Sequence, residues 1–488
     1  METAAPPRSV RLALWMALAL PILCFTVTIA ASAQRRVFAH YMLANQDYQP
    51  NDPTGERNIA SYEREIRQAQ SIGIDGFALN AGGWFKEPRY IRRASEMFEA
   101  AYRLHSNFKL LISADMCCSN DAADVEDMVR RFANNPRYSA IYYKHKGRFV
   151  LTTFSGSNHG PAFWQQLRGD LEQGTHPSQQ DAPGALSIAS GVSSSKPLPI
   201  ELIPAFFWGG ELPATTSIHV GLNDYADIID GAFYWGIAGV PGLGQPPDQL
   251  PSSEAYASEM HAAGKIYMAP ICFQFWGANA NRYYEYSGYS GMRAMWLNAI
   301  RVTHPEWVEI ITWNDFVEGT YISPIDDPAK YPGANDLDAG AAPPSTLNFY
   351  HSHRGATELL AYFIQWYKTG HQPAIRNDTI FWAYRTQLMP DPTAATTIKQ
   401  YGPVTNVVYI TANLSVPATL LVSFGSTTKS IDLPAGSTDV QAPLLPGYAP
   451  HFVLIRGKSL LTEASGDDAV STQQIPPNSY YSTGSAHD

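Results

Sequence analysis

The sequence predicts an α/β protein, a (β/α)8 TIM barrel followed by a smaller C-terminal β-sandwich domain, on three observations. Eight strand-like segments alternate with helical segments between residues 37 and 370, about the length that an eightfold barrel needs. The strands are nearly continuous apolar runs, as expected for parallel strands that are covered on both faces. After about residue 375, short strands separated by turn residues replace the helical pattern, which is typical of a β-sandwich.

The predicted strands and helices alternate along the chain. The strands lie at 37–43, 75–80, 108–116, 148–156, 200–208, 231–236, 266–275 and 307–315. Helical patterns lie at 59–73, 88–106, 122–135, 162–173, 252–264, 290–305 and 357–370. Residues 174–199 are rich in Ser, Gly and Pro and are predicted to form a long surface loop. No glycine-rich phosphate loop follows the first strand, which disfavours an open, doubly wound sheet.

The chain divides into four predicted segments. These are a signal peptide over 1–33, a catalytic domain over 34–374, a β-sandwich over 375–464 and a polar, disordered tail over 465–488. Arg8 and Arg11 precede a long apolar stretch, and Ala31-Ser32-Ala33 forms a small-residue cleavage site, so we expect a secreted protein. An uncleaved signal anchor is the alternative, because the apolar stretch is long.

Composition narrows the class of partner. A net charge of −10 with no basic run disfavours nucleic acid and anionic membranes. Aromatic residues make up 12% of the chain, and their faces stack on sugar rings or nucleobases; the acidic balance favours sugars. His351-Ser352-His353 has no matching carboxylate or cysteine cluster, so we expect no metal and no cofactor.

The active site of a (β/α)8 barrel lies at the C-terminal ends of its strands, so the residues at those ends are the candidates. They are aromatic rings, amides and a few carboxylates: His40, Tyr41, Asn80, Asp115, Trp208, Trp235, Phe275, Trp276, Trp313, Asn314, Asp315, Glu318 and Tyr321. Two carboxylates over aromatic platforms are sufficient for glycoside hydrolysis, in which one protonates the leaving oxygen and the other acts as base or nucleophile.

Each of the charged candidates also has a structural alternative. Asp315 and Glu318 could be the N-cap and acidic first turn of a helix, but their position at the end of a strand favours catalysis. Asp115 would be costly inside a barrel unless it is paired or functional, which predicts hydrogen bonds to sugar or to the other carboxylates. His40 is either a site residue or a buried, hydrogen-bonded histidine. Asp75 and Asp230 sit at strand starts, where capping or loop bonding is the simpler interpretation.

Five segments of the chain resemble glycoside hydrolase family 71, the secreted fungal α-1,3-glucanases that are often called mutanases. They are VFAHYMLAN, GIDGFALN, FKLLISADM, DGAFYWG and, above all, EIITWNDFVEGTYISPI. The resemblance spans roughly residues 36–375. Two departures are that Gly236 follows Trp235, where the family often has Asp, and that the 174–199 loop looks longer than usual.

The resemblance implies a (β/α)8 barrel with a β-sandwich, endo-type hydrolysis of α-1,3-glucan with inversion, and a catalytic pair at Asp315 and Glu318. We expect Glu318 to be the acid, Asp315 the base toward water, and the protein to be a monomer in the extracellular space or cell wall. The alternatives are a barrel glycosidase of another linkage specificity and a non-catalytic carbohydrate-binding cell-wall protein.

The spacing of the pair predicts its local conformation. An inverting pair stands about 6.5–9.5 Å apart to admit water. Residues three apart on a regular helix have Cβ atoms about 5–6 Å apart. The sequence therefore predicts that Asp315 and Glu318 lie on an extended or irregular turn.

Overall fold

The fold is described from a computed structural model of the chain. It describes residues 1, 35–45, 54–117, 121–174, 196–206, 224–236, 249–277, 282–284, 286–316, 318–325, 352–388, 399–401, 405–472 and 481–488. The chain divides into Met1–Gln34 and the compact unit Arg35–Asp488, and all that follows concerns the second. The predicted signal peptide and residues 175–195 of the predicted loop lie outside the described residues. Within the described ranges, no helix has the length and apolar character needed to cross a membrane.

The elements agree with most of the predicted positions. The strands are β1 Arg36–Met42, β2 Gly76–Ala81, β3 Lys109–Asp115, β4 Lys144–His145, β5 Arg148–Phe154, β6 Ile200–Pro204, β7 Gly231–Phe233, β8 Ile266–Cys272, β9 Phe275–Gly277, β10 Arg282–Tyr284, β11 Trp307–Ile311, β12 Thr379–Arg385, β13 Lys399–Tyr401, β14 Val407–Leu414, β15 Ala418–Phe424, β16 Thr427–Leu433, β17 Gly436–Pro443, β18 His451–Arg456, β19 Ser459–Ser465 and β20 Tyr481–His487. The helices are α1 Glu56–Ser71, α2 Arg89–Arg103, α3 Ala122–Ala133, α4 Pro161–Gln173, α5 Gln249–Ala262, α6 Tyr289–Asn298 and α7 Arg354–Thr369.

A curled parallel sheet organises the first part of the chain. Its strands are ordered β5-β3-β2-β1-β11-β8-β7, with β4 antiparallel and β6 parallel to β5. Helices α1 to α6 connect most of the parallel strands, so the described residues confirm the predicted mixed α/β class. A parallel bridge between Ala205 and Phe233 also links the segment after β6 to β7. Because the strands are parallel, their C-terminal ends share one edge, where the predicted site residues were expected.

Two aspartates at the opposite edge confirm the structural interpretation. Asp75, just before β2, accepts a hydrogen bond from the Val37 amide at 2.8 Å and pairs with Lys368 at 2.7 Å. Asp230, just before β7, accepts from the Leu202 amide at 2.9 Å and pairs with Arg168 at 3.0 Å. Each carboxylate therefore ties the starts of neighbouring strands together.

The C-terminal part contains two four-stranded antiparallel sheets, β17-β14-β12-β20 and β16-β15-β18-β19. They share one apolar cluster, which includes Ile380, Trp382, Leu420, Phe452 and Leu454. The antiparallel sheets predicted after residue 375 are thus present. The predicted boundary between two domains remains a prediction, because Arg35–Asp488 forms one compact unit.

The prediction that residues 465–488 are disordered is wrong for the last part of the chain. β20 pairs with β12 along its length, from Tyr481 opposite Arg385 to His487 opposite Thr379. The Tyr481 ring is buried and meets Phe273 edge-on. The segment is polar in composition, but its backbone supplies the hydrogen bonds that the edge of β12 would otherwise lack.

Candidate active site

The segment after β11 folds back on itself, and its described residues, 312–316 and 318–325, are not helical. The Thr312 amide donates to the carbonyl of Thr320 at 3.1 Å, and the Ile322 amide donates to the carbonyl of Thr312 at 3.0 Å. Gly319 has φ 63°, a conformation that favours glycine. Residues 313–316 and 318–320 are bends, turns and irregular structure, which agrees with the irregular turn that the sequence predicts.

Local hydrogen bonds fix the two predicted catalytic carboxylates. The Asp315 amide donates to Thr312 Oγ1 at 2.8 Å, and the Glu318 amide donates to Asp315 Oδ1 at 3.0 Å. The second bond is of the kind an N-cap residue makes, although no helix follows in the described residues. Asp315 is buried and Glu318 half-buried. Gln274, which the sequence did not suggest, donates from Nε2 to the carbonyl of Gly319 at 2.9 Å and anchors the turn to the exit of β8.

Cys272, the last residue of β8, lies within the electrostatic reach of Glu318. Burial raises the pKa of the Cys272 thiol to about 12, and the negative charge of Glu318 contributes to the rise. The thiol therefore stays neutral near neutral pH and donates a hydrogen bond to the carbonyl of Gln274 at 3.2 Å. The contact between Gln274 and the Gly319 carbonyl places the backbone next to Glu318 at the C-terminal end of β8.

Asn80 and Asp115 come together at the ends of β2 and β3. Asn80 Nδ2 donates to Asp115 Oδ2 at 3.3 Å, and the Cys117 amide donates to Asp115 Oδ1 at 3.0 Å. Both side chains are buried. The pairing that a buried aspartate requires is thus met by neutral donors, and Asp115 keeps the position at the strand end that was predicted.

Asn314 fastens the turn to β1. Its Oδ1 accepts from the Met42 amide at 2.7 Å, and its Nδ2 donates to the Met42 carbonyl at 3.1 Å. The Trp313 amide also donates to the carbonyl of His40 at 2.7 Å. These backbone contacts explain why an asparagine follows the strand, and they position the aspartate that comes next.

Tyr41 was expected at the site, and this prediction is wrong. Its hydroxyl donates to Glu65 Oε2 of α1 at 2.5 Å, and its ring packs edge-on against Tyr62 of the same helix. Successive residues of a strand point to opposite faces, so His40 and Tyr41 could not both face the interior. Tyr41 belongs to the helix-facing side of the sheet.

The other aromatic candidates are mostly buried. Trp313 packs on Phe77, which also contacts Tyr41. Tyr321 is covered by the parallel ring of His353, with centroids 3.9 Å apart. The prediction that Trp313 and Tyr321 face sugar gains no support from this packing. Phe275 is also buried. Trp208 lies outside the described residues, and only the strand position of Trp276 is described.

His40 pairs with a residue that the sequence reading missed. Its Nδ1 lies 2.6 Å from Glu309 Oε1 of β11, and both side chains are fully buried. Burial raises the pKa of Glu309, and His40 partly offsets this. His40 Nε2 and Glu309 Oε2 have no hydrogen-bond partner in the described part of the chain. Trp235, a predicted site residue, meets the His40 ring edge-on at 4.7 Å.

A lone glutamate inside the apolar run WVEII is the signal that could have revealed this pair, because a buried charge needs a partner.

The described residues give no indication of a metal site. Within the described ranges, no group of His, Cys, Asp and Glu side chains is arranged to hold a metal ion.

Comparison with known proteins gives one family. Residues 33–483 match the model of Glycosyl hydrolase family 71. A glucan endo-1,3-alpha-glucosidase of Schizosaccharomyces pombe is 25% identical over 477 residues, which cover 93% of this chain and 96% of that protein. A mutanase of Penicillium rubens is 26% identical over 452 residues, 90% of this chain and 86% of that protein. A solved GH99 endo-alpha-mannosidase from Bacteroides thetaiotaomicron aligns with a TM-score of 0.46 and 10% identity over 68% of this chain and 97% of that chain.

The family match runs from the residues before β1 to the first half of β20, and so includes both the parallel sheet and the antiparallel sheets. It also contains the turn that carries Asp315 and Glu318. The predicted glycoside hydrolase class is therefore confirmed: this chain belongs to glycosyl hydrolase family 71.

Proposed function

We propose that this protein is an endo-acting hydrolase of α-1,3-glucan that inverts the anomeric configuration. The observation that carries the proposal is the non-helical turn after β11, which holds Asp315 and Glu318 at the same strand edge as Asn80 and Asp115. The names of both relatives, a glucan endo-1,3-alpha-glucosidase and a mutanase, support the substrate class. This chain aligns with most of the length of each.

The fold that we propose for this activity is a closed (β/α)8 barrel. Its supports are the parallel pairing of seven neighbouring strands, the attachment of β6 to β5, and the bridge between Ala205 and Phe233 at the remaining junction. The Asp230 amide, which donates to the Leu202 carbonyl at 2.9 Å, adds a second link there. In a closed barrel, the turn after β11 lies at the end where (β/α)8 enzymes place their active sites.

In the proposed mechanism, Glu318 is the general acid and Asp315 the general base. Asp315 removes a proton from water while the water oxygen bonds to the anomeric carbon on the face opposite the leaving oxygen. Glu318 gives its proton to the leaving oxygen as that bond breaks, and proton exchange with solvent then resets both groups. The Glu318 amide and Thr312 Oγ1 hold Asp315 in one orientation, as a positioned base requires.

The remaining site residues fit the proposal as substrate contacts or supports. Asn80, Asp115, His40 and Trp235 lie at or below the strand ends, where hydroxyl groups of a glucosyl unit would meet amide and carboxylate partners. We propose that the protein is secreted as a monomer, to the extracellular space or the cell wall. The predicted signal sequence over residues 1–33 supports the secretion.

The test is the pair of variants Asp315→Asn and Glu318→Gln, assayed for release of oligosaccharides from α-1,3-glucan. Each should lower kcat by about 100- to 10,000-fold, because each removes one proton-transfer group. Glu463→Gln, an exposed change on β19 with 53% of the side chain accessible, is the matched control and should keep wild-type turnover. Near-wild-type turnover of either variant would contradict the assignment of Asp315 and Glu318 as the catalytic pair.

Two further readouts address specificity and stereochemistry. A panel of α-1,4-glucan, β-mannan and α-1,3-glucan should give products from the last alone. The first product seen by NMR should be the β-anomer, because an α-linkage is inverted. An α-anomeric first product would contradict the roles given to Asp315 and Glu318.

A further inference from the structure

A groove on the flank of the molecule is separate from the turn that carries Asp315. It encloses about 540 Å³ between α7, the connection after it and the sheet of β12 and β14. The lining residues that matter here are Tyr362, Gln365, Arg376, Asn377, Phe381 and Asn413. A volume of this size is in the range of small-molecule sites, about 300–1,000 Å³.

Helix α7 separates the groove from the catalytic turn. The residue before α7, His353, stacks on Tyr321 at the catalytic edge, whereas Lys368 near its end pairs with Asp75 at the opposite edge. Tyr362 lies eight residues after Arg354, which is about 12 Å along the helix axis. The groove therefore opens on the side of the molecule, away from the strand edge that carries the proposed catalytic turn. A ligand there would not occupy the catalytic centre.

An unsatisfied acceptor lies in the wall of this groove. Asn413 on β14 is only 5% exposed, and its Oδ1 has no hydrogen-bond partner among the described residues. A buried acceptor without a donor costs stability, and if the Asn413 amide turned toward the groove, a hydroxyl group from a ligand would restore the bond. Asn377, Gln365 and Thr379 add further polar groups to the same lining.

Aromatic rings complete the chemistry of the groove. The Tyr362 ring is half-buried, and its hydroxyl accepts a hydrogen bond from Gln372 Nε2 at 2.9 Å, which fixes the orientation of the ring. Phe381 also lines the groove. The lining contains no carboxylate, and Arg376 is its charged residue. Fixed rings with amides around them suit a neutral, hydroxyl-rich ligand.

We propose that this groove is a second glucan-binding site, which holds a short stretch of the α-glucan chain while the distant turn cleaves another stretch. The proposal rests on the proposed function for the identity of the ligand. Tyr362 would stack on a glucosyl ring, and Asn413 Oδ1, once turned toward the groove, would accept from one of its hydroxyl groups. Holding the polymer at two places raises the effective concentration of the catalytic turn on an insoluble substrate.

The test measures binding without hydrolysis, on full-length Asp315→Asn protein produced without N-glycosylation, because Asn377-Asp378-Thr379 is an acceptor sequence within the groove. Depletion isotherms on insoluble α-1,3-glucan compare this protein with the same protein carrying Tyr362→Ala. Loss of the ring should weaken binding about fivefold. Gln365→Ala, on the exposed face of α7, leaves the packing intact and should weaken binding about twofold. Tyr448→Ala, which removes a 50% exposed ring elsewhere, is the control and should change nothing.

The same substitutions in the active enzyme give an independent readout. Tyr362→Ala should slow hydrolysis of insoluble glucan and leave kcat/KM on a soluble α-1,3-oligosaccharide within about twofold of wild type. Isotherms of Tyr362→Ala and Gln365→Ala that superpose on that of the parent would overturn the second site. Failure of the wild-type enzyme to cleave α-1,3-glucan would instead overturn the proposed function, and the isotherms would still decide on the groove.

Discussion

Two histidine–glutamate pairs lie on the parallel sheet at different depths. His40 and Glu309 join β1 to β11 through a single contact of 2.6 Å, and both are fully buried. His145 and Glu201 join β4 to β6 nearer the opposite edge, with Nδ1 2.8 Å and 2.9 Å from the two carboxylate oxygens. Their side chains are 22% and 8% exposed.

The two pairs differ in how completely their hydrogen-bonding groups are used. Both oxygens of Glu201 contact His145, whose ring rests edge-on against Trp307. In the deeper pair, one nitrogen and one oxygen lack a partner in the described structure. The His40 carbonyl also receives the Trp313 amide, two residues before Asp315. A buried and incomplete pair beside the turn that carries Asp315 fits the proposed active site, whereas the pair at the far edge is a structural link.

The largest expected difference is in stability. Glu309→Ala leaves a buried histidine without its partner and should lower the free energy of unfolding by about 3–5 kcal/mol. Glu201→Ala should cost about 1–2 kcal/mol, because water reaches His145. Urea unfolding of full-length protein measures both. Equal losses in the free energy of unfolding would contradict the difference proposed between the two pairs.

The second difference is in the pH dependence of stability. Burial raises the pKa of Glu309 above its ordinary value of 4.5, so the folded state keeps the proton to a higher pH than the unfolded chain. That contribution is fully present below pH 4.5 and is lost as the pH rises through the raised pKa. The stability of wild type relative to Glu309→Gln should therefore fall as the pH rises from 4 to 8.

Thermal unfolding in a pH series of the two proteins checks this expectation. Glu201→Gln, measured in parallel, provides the baseline for a carboxylate removed near the far edge of the sheet. A relative stability that rises with pH would show that His40 stabilises the charged carboxylate more than burial disfavours it.

The smallest expected effect is at His145. His145→Gln retains a hydrogen-bond donor beside Glu201 and should cost about 1 kcal/mol or less, with kcat unchanged. The matched change His40→Gln should lower kcat about tenfold, because a shifted β1 moves the turn that holds Asp315. Turnover on α-1,3-glucan distinguishes them, and a loss of kcat in His145→Gln would contradict the structural role of that pair.

Much of the fold was predictable because each element carries its own periodic signal. The predicted strand at 37–43 is β1 at Arg36–Met42, and the predicted helix at 122–135 is α3 at Ala122–Ala133. Apolar runs and amphipathic patterns are local, so they can be recognised in a single sequence. The polar segment at Tyr481–His487 was mistaken for disorder because its order depends on a strand about 100 residues earlier.

The site was only partly predictable, because a position at a strand end does not determine the direction of a side chain. Asp115 and Asn80 face each other as their strand ends suggest, but Tyr41 points to α1, since alternation places it opposite His40. Glu309 was missed because it lies inside a strand rather than at its end. Gln274 acts through an amide contact to Gly319 across the turn, which no local pattern encodes.

The pairing of β20 with β12 has a consequence for synthesis of the chain. β20 is made about 100 residues after β12, which at cellular rates of about 5–20 residues per second is a delay of about 5–20 s. Thr483 of β20 donates to the carbonyl of Ser352 at 3.0 Å, and the next residue, His353, is stacked on Tyr321 at the end of the turn that carries Asp315 and Glu318. The contacts that support the turn are therefore completed late in translation. A nascent chain that stops before β20 contains both carboxylates but lacks the hydrogen bond from Thr483 to Ser352.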